Sequence, residues 1–94
     1  MIERDGNSLR VNGALTIANA ASLCEAGKQQ FGDGDLVVDF SAVTDVDSSA
    51  LSVLFEWQRE ARRRGHAITF RQLPASLQSL AALYGVADLV SGGA

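Results

Sequence analysis

Residues 35–65, DLVVDFSAVTDVDSSALSVLFEWQREARRRG, decide the fold and hold the candidate functional point. Residues 36–40 are few and rich in β-branched side chains, which predicts a buried strand rather than a helix. Residues 41–47 alternate small polar residues with valines, which predicts a polar connection that turns. Apolar residues then recur at helical spacing as far as Gly65, which predicts a long helix that stops there. Three residues that can accept hydrogen bonds from the free N–H groups would open this helix: Asp47, Ser48 and Ser49.

Two units precede this stretch. Residues 2–12 predict a β-hairpin, because the turn Asp5-Gly6-Asn7 contains residues that tolerate positive φ. Thr16 is the predicted N-cap of a helix that runs to the neighbourhood of Gln30, with Ile17 among its apolar positions.

Two further units follow the long helix. Residues 68–71 alternate apolar and polar side chains, which predicts a strand with one wet face. Pro74 fits the first position of a last helix, where its missing N–H is not needed, and Gly85 would end that helix. The predicted core side of the last helix consists of Leu77, Leu80, Ala81 and Tyr84. Residues 86–90 predict a short apolar closing segment before an unpacked tail.

The predicted order is therefore β-β-α-β-α-β-α, an α/β fold in a single domain that spans residues 1–94. Because crossovers between parallel strands are right-handed, strands that step in one direction place their helices on one face of the sheet. The alternating strands agree, since a sheet covered on both faces would show continuous apolar runs. We expect a four-stranded mixed sheet with helices mainly on one face. The residues expected on its open face are Ser8, Arg10, Thr69 and Arg71.

Composition excludes several classes of protein. Of the 94 residues, 47% are hydrophobic and 20% charged, as in ordinary globular domains and unlike disordered chains. A net charge of −3 gives no basic footprint, so we expect no nucleic-acid partner. No apolar run approaches the length of a membrane span and no signal segment opens the chain, so we expect a cytoplasmic protein without direct membrane insertion. The single cysteine, Cys24, cannot form an internal disulfide and is expected to be a small buried side chain.

The sequence contains few residues that indicate a catalytic site. His66 is the only histidine and falls at a helix-to-strand corner, so with one cysteine it makes no zinc site. Three carboxylates near the end of the central strand could hold Mg²⁺: Asp39, Asp45 and Asp47. No Gly-rich phosphate loop or nucleophile–base pair accompanies them, which favours roles in the turn and the cap. We predict no enzyme, no cofactor and no metal, and keep a nucleotide or small-ligand sensor as one hypothesis.

Residues 43–51, VTDVDSSAL, carry a family resemblance. They are similar to the signature loop of STAS domains, the fold of the anti-sigma factor antagonists, with Ala50 where many members have Gly. Residues 70–86 resemble the last strand and helix of that family. The spacing of Leu77, Leu80 and Leu83 most resembles the small bacterial branch found in the lipid-asymmetry ABC transporter, the MlaB-type proteins.

The resemblance implies two functions. The first is a non-catalytic subunit that binds and supports the cytoplasmic ATPase subunit of a phospholipid-transport ABC transporter, peripheral to the inner membrane through that partner. The alternative is an anti-sigma factor antagonist, with an anti-sigma factor and a serine kinase as partners and Ser48 as the phosphorylated residue. Ser48 thus has two expected roles, helix cap and switch, which do not exclude each other.

A docking patch is predicted on one flank of the long helix and its preceding loop. We expect Leu51 and Leu54 to mark the core side of the helix, with Val53 and Trp57 beside it. Trp is enriched at interface hot spots, so Trp57 is the expected anchor. The predicted docking patch consists of Thr44, Asp45, Ser48, Ser49, Ser52, Val53, Glu56 and Trp57.

Overall fold

The computed structural model describes residues 2–32 and 34–86. Its elements in chain order are β1 (Ile2–Asp5), β2 (Ser8–Leu15), α1 (Ala20–Lys28), β3 (Leu36–Val46), α2 (Ser49–Arg63), β4 (Ile68–Arg71) and α3 (Ala75–Leu83). The predicted order β-β-α-β-α-β-α is confirmed.

The four strands form one sheet in the order β1-β2-β3-β4. β1 and β2 are antiparallel and joined by a tight turn, in which Gly6 takes a φ of 63° that residues with a Cβ rarely adopt. β3 runs parallel to both of its neighbours, so the central strand is internal, as predicted. The sheet is therefore mixed, with its antiparallel pair at one edge.

The register of the sheet separates a core face from an open face. Leu9, Val38 and Phe70 pair across three adjacent strands, and all three are buried. One residue further along, Arg10 and Arg71 flank β3 on the opposite face and are exposed. Because side chains alternate along a strand, the helices cover one face and leave the other wet. The one-face prediction is confirmed.

β3 is longer than the sequence predicted. The segment expected to turn, residues 41–47, continues the strand as far as Val46. It does so because β2 is eight residues long and keeps pairing, with Leu15 opposite Val46. The pairing of β2 with β3 shifts register beside Gly13, whose φ is 85°. This irregularity lets β3 remain paired through the residues whose uneven alternation suggested a turn.

The last helix begins one position later than predicted. Pro74 has φ −58° and ψ 146° and lies at the N-cap, not at the first helical position. Leu77 and Ala81 form the buried side of α3, but Tyr84 is 58% exposed, contrary to the prediction. Tyr84 lies beyond the last helical turn, where the chain turns away at Gly85. Residues 87–94, which include most of the predicted closing segment and the tail, lie outside the described residues.

Candidate docking site at the start of the long helix

Two chain segments meet at one edge of the sheet. β2 and β3 are parallel neighbours, so their carboxyl ends lie side by side, with Leu15 opposite Val46. The backbone N–H of Asp47 donates to the carbonyl of Leu15 at 3.4 Å. The loop into α1 and the loop into α2 are thus adjacent, which is where open α/β sheets place their functional groups.

The Asp47 carboxylate joins these two loops. Its Oδ1 accepts hydrogen bonds from the Ser49 backbone N–H, at 2.9 Å, and from the Ser49 hydroxyl. Its Oδ2 accepts the backbone N–H of Ile17, at 2.9 Å, from the other loop. The Ser49 hydroxyl bond and then the Ile17 N–H bond hold the pKa of Asp47 below its usual value. An ionised Asp47 therefore ties the start of α2 to the turn before α1.

Ser48 occupies the N-cap position of α2, but its side chain does not cap the helix. Its backbone is helical, with φ −63° and ψ −20°, and its side chain makes no capping hydrogen bond. The predicted cap role of Ser48 is therefore confirmed for its position in the chain and wrong for its side chain. The N–H groups that such a side chain would bind, those of Ala50 and Leu51, donate instead to backbone carbonyls. Ser48 is exposed, and its hydroxyl is not engaged in holding the helix.

The predicted N-cap of the first helix is also wrong. α1 begins at Ala20, with Asn19 at the N-cap position, three residues after the N-cap expected at Thr16. Asn19 Oδ1 accepts the Thr16 N–H at 2.9 Å, and Asn19 Nδ2 donates to the Ala14 carbonyl at 2.6 Å. These bonds favour a turn over residues 16–19 in place of a first helical turn.

Ile17 is the residue at this site that the sequence analysis misplaced. It was expected among the apolar positions of α1, yet it lies in the turn and is 79% exposed. The signal that was missed is Asn19, because Asn just before an apolar periodic segment is a strong N-cap residue. A helix that starts at residue 20 leaves Ile17 outside its buried face.

The structure divides the predicted docking patch by burial. Four of its residues are exposed, namely Thr44, Asp45, Ser48 and Ser52. Ser49 is half-buried, as is Glu56, which pairs with Lys28 at 3.3 Å and Arg59 at 3.1 Å. Val53 is 2% exposed and Trp57 is fully buried, so neither can contact a partner, and the prediction is wrong for both.

Trp57 is buried because α1 packs over the flank of α2 that the sequence analysis left open. Its indole Nε1–H donates to the Cys24 carbonyl at 3.0 Å, and its ring stacks on Phe40 with centroids 6.4 Å apart. The ring lies directly against Gly27 of α1, where a side chain would leave no room. Cys24 itself is half-buried, and its burial raises the pKa of its thiol.

The three carboxylates proposed as a ligand cluster do not converge. Asp39 lies six residues before Asp45 on β3, roughly 20 Å along the strand. The Ser41 backbone N–H, at 2.8 Å, holds the pKa of Asp39 below its usual value. Asp47 is occupied by the donors described above. Within residues 2–32 and 34–86, no group of three or more His, Cys, Asp or Glu side chains could hold a metal ion.

The open face of the sheet forms a shallow cleft of about 570 Å³. Charges of alternating sign cross it from strand to strand, and the register places Glu3 opposite Arg10, Arg10 opposite Asp39, and Asp39 opposite Arg71. Oppositely charged side chains on neighbouring strands attract each other, so this row of charges stabilises the sheet. In the described part of the chain, no helix combines the length and apolarity needed to cross a bilayer.

Comparison with known proteins gives one family match and several structural ones. A family model described as "Mlab, STAS domain" matches residues 1–91. No curated protein matches the sequence. The fold is similar to that of the anti-sigma factor antagonist SpoIIAA in its unphosphorylated form, with a TM-score of 0.73 and 13% identity over 94% of this chain and 82% of that one.

Two further solved structures share the fold. A sulfate transporter family protein from Wolinella succinogenes has a TM-score of 0.69 and 14% identity, covering 89% of this chain and 70% of that one. The structure of Mglu has a TM-score of 0.61 and 15% identity over 80% of this chain, which spans only 20% of that one. At these identities the likeness establishes the fold and leaves the activity open.

Proposed function

The chain belongs to the STAS domain family, and from this premise we propose that it is a non-catalytic subunit that binds and supports the ATPase of a bacterial phospholipid-transport ABC transporter. The observation that carries the proposal is the family match itself, whose description names Mlab and which covers residues 1–91. The protein would be cytoplasmic and peripheral to the inner membrane, held there by its partner.

The docking surface of this proposal is the exposed remainder of the predicted patch. Thr44, Asp45, Ser48 and Ser52 lie on the end of β3 and the first turn of α2, and all are exposed. The backbone beneath them is fixed by the bonds to Asp47. A surface that is rigid before binding loses little conformational entropy when a partner docks.

A second candidate function, an anti-sigma factor antagonist, is favoured by the state of Ser48. Its hydroxyl is exposed and makes no capping bond, so a kinase could modify it without first opening the helix. A phosphate there would meet the helix dipole favourably but would lie beside the ionised Asp47. The fold of SpoIIAA supports this candidate only at the level of architecture.

Gene context and copurification separate the two candidates. The first requires neighbouring genes for a permease, an ATPase and a lipid-binding protein, and the second requires a serine kinase and a sigma factor. Coexpression with the neighbouring ATPase should give a stable complex. A neighbourhood without an ATPase gene, or an ATPase that does not copurify, would contradict the first candidate.

Ser48→Glu tests the docking surface, because it places a charge at its centre. A carboxylate at a helix start suits the dipole, so stability should change by about 1 kcal/mol or less. Binding to the ATPase should fall far more, since the charge would be buried without a counter-ion. The matched control is Ser76→Glu, which adds the same charge in the first turn of α3 at another exposed serine. If Ser48→Glu melts normally and binds as well as Ser76→Glu does, the docking surface lies elsewhere.

A further inference from the structure

The proposed docking surface lacks a large apolar side chain once Val53 and Trp57 are found buried. Its exposed members from the predicted patch are two serines, a threonine and an aspartate. Protein interfaces derive most of their binding energy from a few large side chains inserted into pockets, surrounded by a polar rim. The small polar residues of the patch would form the polar rim of an interface but would not provide the large side chain that is buried at its centre.

We infer that Ile17 is the apolar anchor of this surface and inserts into an apolar pocket of the ATPase subunit, an inference that rests on the proposed function. Three large hydrophobic side chains are highly exposed in the described residues: Ile17 at 79%, Leu83 at 76% and Tyr84 at 58%. Ile17 alone of these three lies beside the start of α2, because its N–H binds the carboxylate that precedes Ser48.

Leu83 and Tyr84 belong to the end of α3, which follows β4 in the chain. The backbone N–H of Tyr84 donates within this helix, to the Leu80 carbonyl at 3.0 Å. Ile17 is therefore the highly exposed apolar side chain that a hydrogen bond joins to the docking surface.

The position of Ile17 is fixed before any partner arrives. Asp47 holds its backbone N–H, and the two side-chain bonds of Asn19 hold the turn on either side of it. An exposed isoleucine gains free energy when a partner removes it from water, and a fixed backbone reduces the entropy lost on docking. The turn over residues 16–19 thus presents one preorganised apolar side chain.

Charge at the surface specifies the chemistry of the partner. Asp45 is the charged member among the exposed residues of the predicted patch, and Glu56 at the margin is already paired with Lys28 and Arg59. The complementary protein surface is an apolar pocket with a Lys or Arg side chain placed to meet Asp45. Such a pocket fits a folded protein partner and does not fit a nucleic acid or an anionic lipid surface.

The test is Ile17→Ser, compared with Leu83→Ser and Ile17→Leu, in affinity for the ATPase encoded beside this gene. Ile17→Ser keeps the backbone N–H that binds Asp47, so its melting temperature should match the wild type. Its affinity should be roughly ten- to a hundredfold weaker, as expected for a lost buried isoleucine. Leu83→Ser removes an equally exposed side chain and should bind normally, and Ile17→Leu should retain most of the affinity.

Each other result would overturn the inference. If the wild type binds and Ile17→Ser binds equally well, Ile17 is not an anchor and the proposed function stands. If Ile17→Ser and Leu83→Ser weaken binding alike, the effect is not specific to this surface. A marked loss of thermal stability in both Ile17→Ser and Ile17→Ala would mean that the side chain packs within the fold. A wild-type protein that does not bind the ATPase would overturn the proposed function together with the inference.

Discussion

Gly27→Ala should destabilise the protein, although alanine is the better helix former. Gly27 lies inside α1, where replacing glycine by alanine favours the helix by about 1 kcal/mol. A Cβ at this position would lie 2.6 Å from Trp57 Nε1 and closer still to two carbons of the ring. The indole cannot withdraw easily, because its Nε1–H is bound to Cys24 and its face stacks on Phe40.

The magnitude follows from the two opposing effects. Forcing an extra methyl into a packed core costs typically about 1–3 kcal/mol, and the short distances to the Trp57 ring place this site in the upper part of that range, at about 2–3 kcal/mol. The gain of about 1 kcal/mol in helix propensity offsets only part of this cost. We expect a net loss of about 1–2 kcal/mol, or roughly 4–16 °C in Tm for a domain of this size. Urea unfolding followed by far-UV circular dichroism measures the free energy of unfolding directly.

Two variants separate packing from propensity. Ala26→Gly, at the neighbouring exposed position, measures the propensity difference in α1 at a side chain that faces solvent. Trp57→Phe removes the part of the ring that crowds Gly27, so Gly27→Ala in that background should be neutral or stabilising. The double-mutant cycle should therefore give a coupling of about 1 kcal/mol or more. If Gly27→Ala alone raises stability by the full propensity gain, α1 does not pack on Trp57 as described.

Two further predictions concern the ends of α2. Guanidinium nitrogens of Arg63 and Arg64 lie 2.5 Å and 2.7 Å from the Glu60 carboxylate and lower its pKa from 4.5 to about 2. The ionised Glu60 therefore stabilises the fold above pH 4.5, and this contribution is lost as the pH falls through about 2. The difference in Tm between the wild type and Glu60→Gln should accordingly be largest near neutral pH and vanish in strong acid, and a difference that does not depend on pH would refute the ion pairs. At the other end, Asp47→Ala should lower the Tm because three donors lose their acceptor, whereas Ser48→Ala should change stability by less than about 0.5 kcal/mol. If Ser48→Ala lowers the Tm more than Asp47→Ala does, the Ser48 side chain caps the helix and the Asp47 bonds are not the main ones.

The chain order of strands and helices was accessible from the sequence because it depends on local patterns. Apolar periodicity identified α2 and the strands. Glycines marked the hairpin turn, at Gly6, and the end of α2, at Gly65, and these two residues have φ values of 63° and 76°. The right-handed crossovers and the alternating strands that agree with them were enough to predict one covered face. The position of the candidate site at the start of α2 followed in the same way, from a strand that ends before a run of helix-opening residues.

Tertiary structure alone decided which side chains of the candidate site are exposed. Val53 and Trp57 looked like an open flank because the helical pattern of α2 contains no information about the rest of the fold. Both are buried, and the missing side chain of Gly27 lets α1 pack directly against Trp57. Likewise Ser48 and Asp47 were equally good caps in sequence. In the structure the Asp47 carboxylate binds the first N–H of α2. Its other oxygen accepts the Ile17 N–H at 2.9 Å, from the loop that follows the parallel strand β2. Local patterns specify a residue's own element, whereas its exposure and its hydrogen-bond partners depend on segments about thirty residues away that only folding brings into contact.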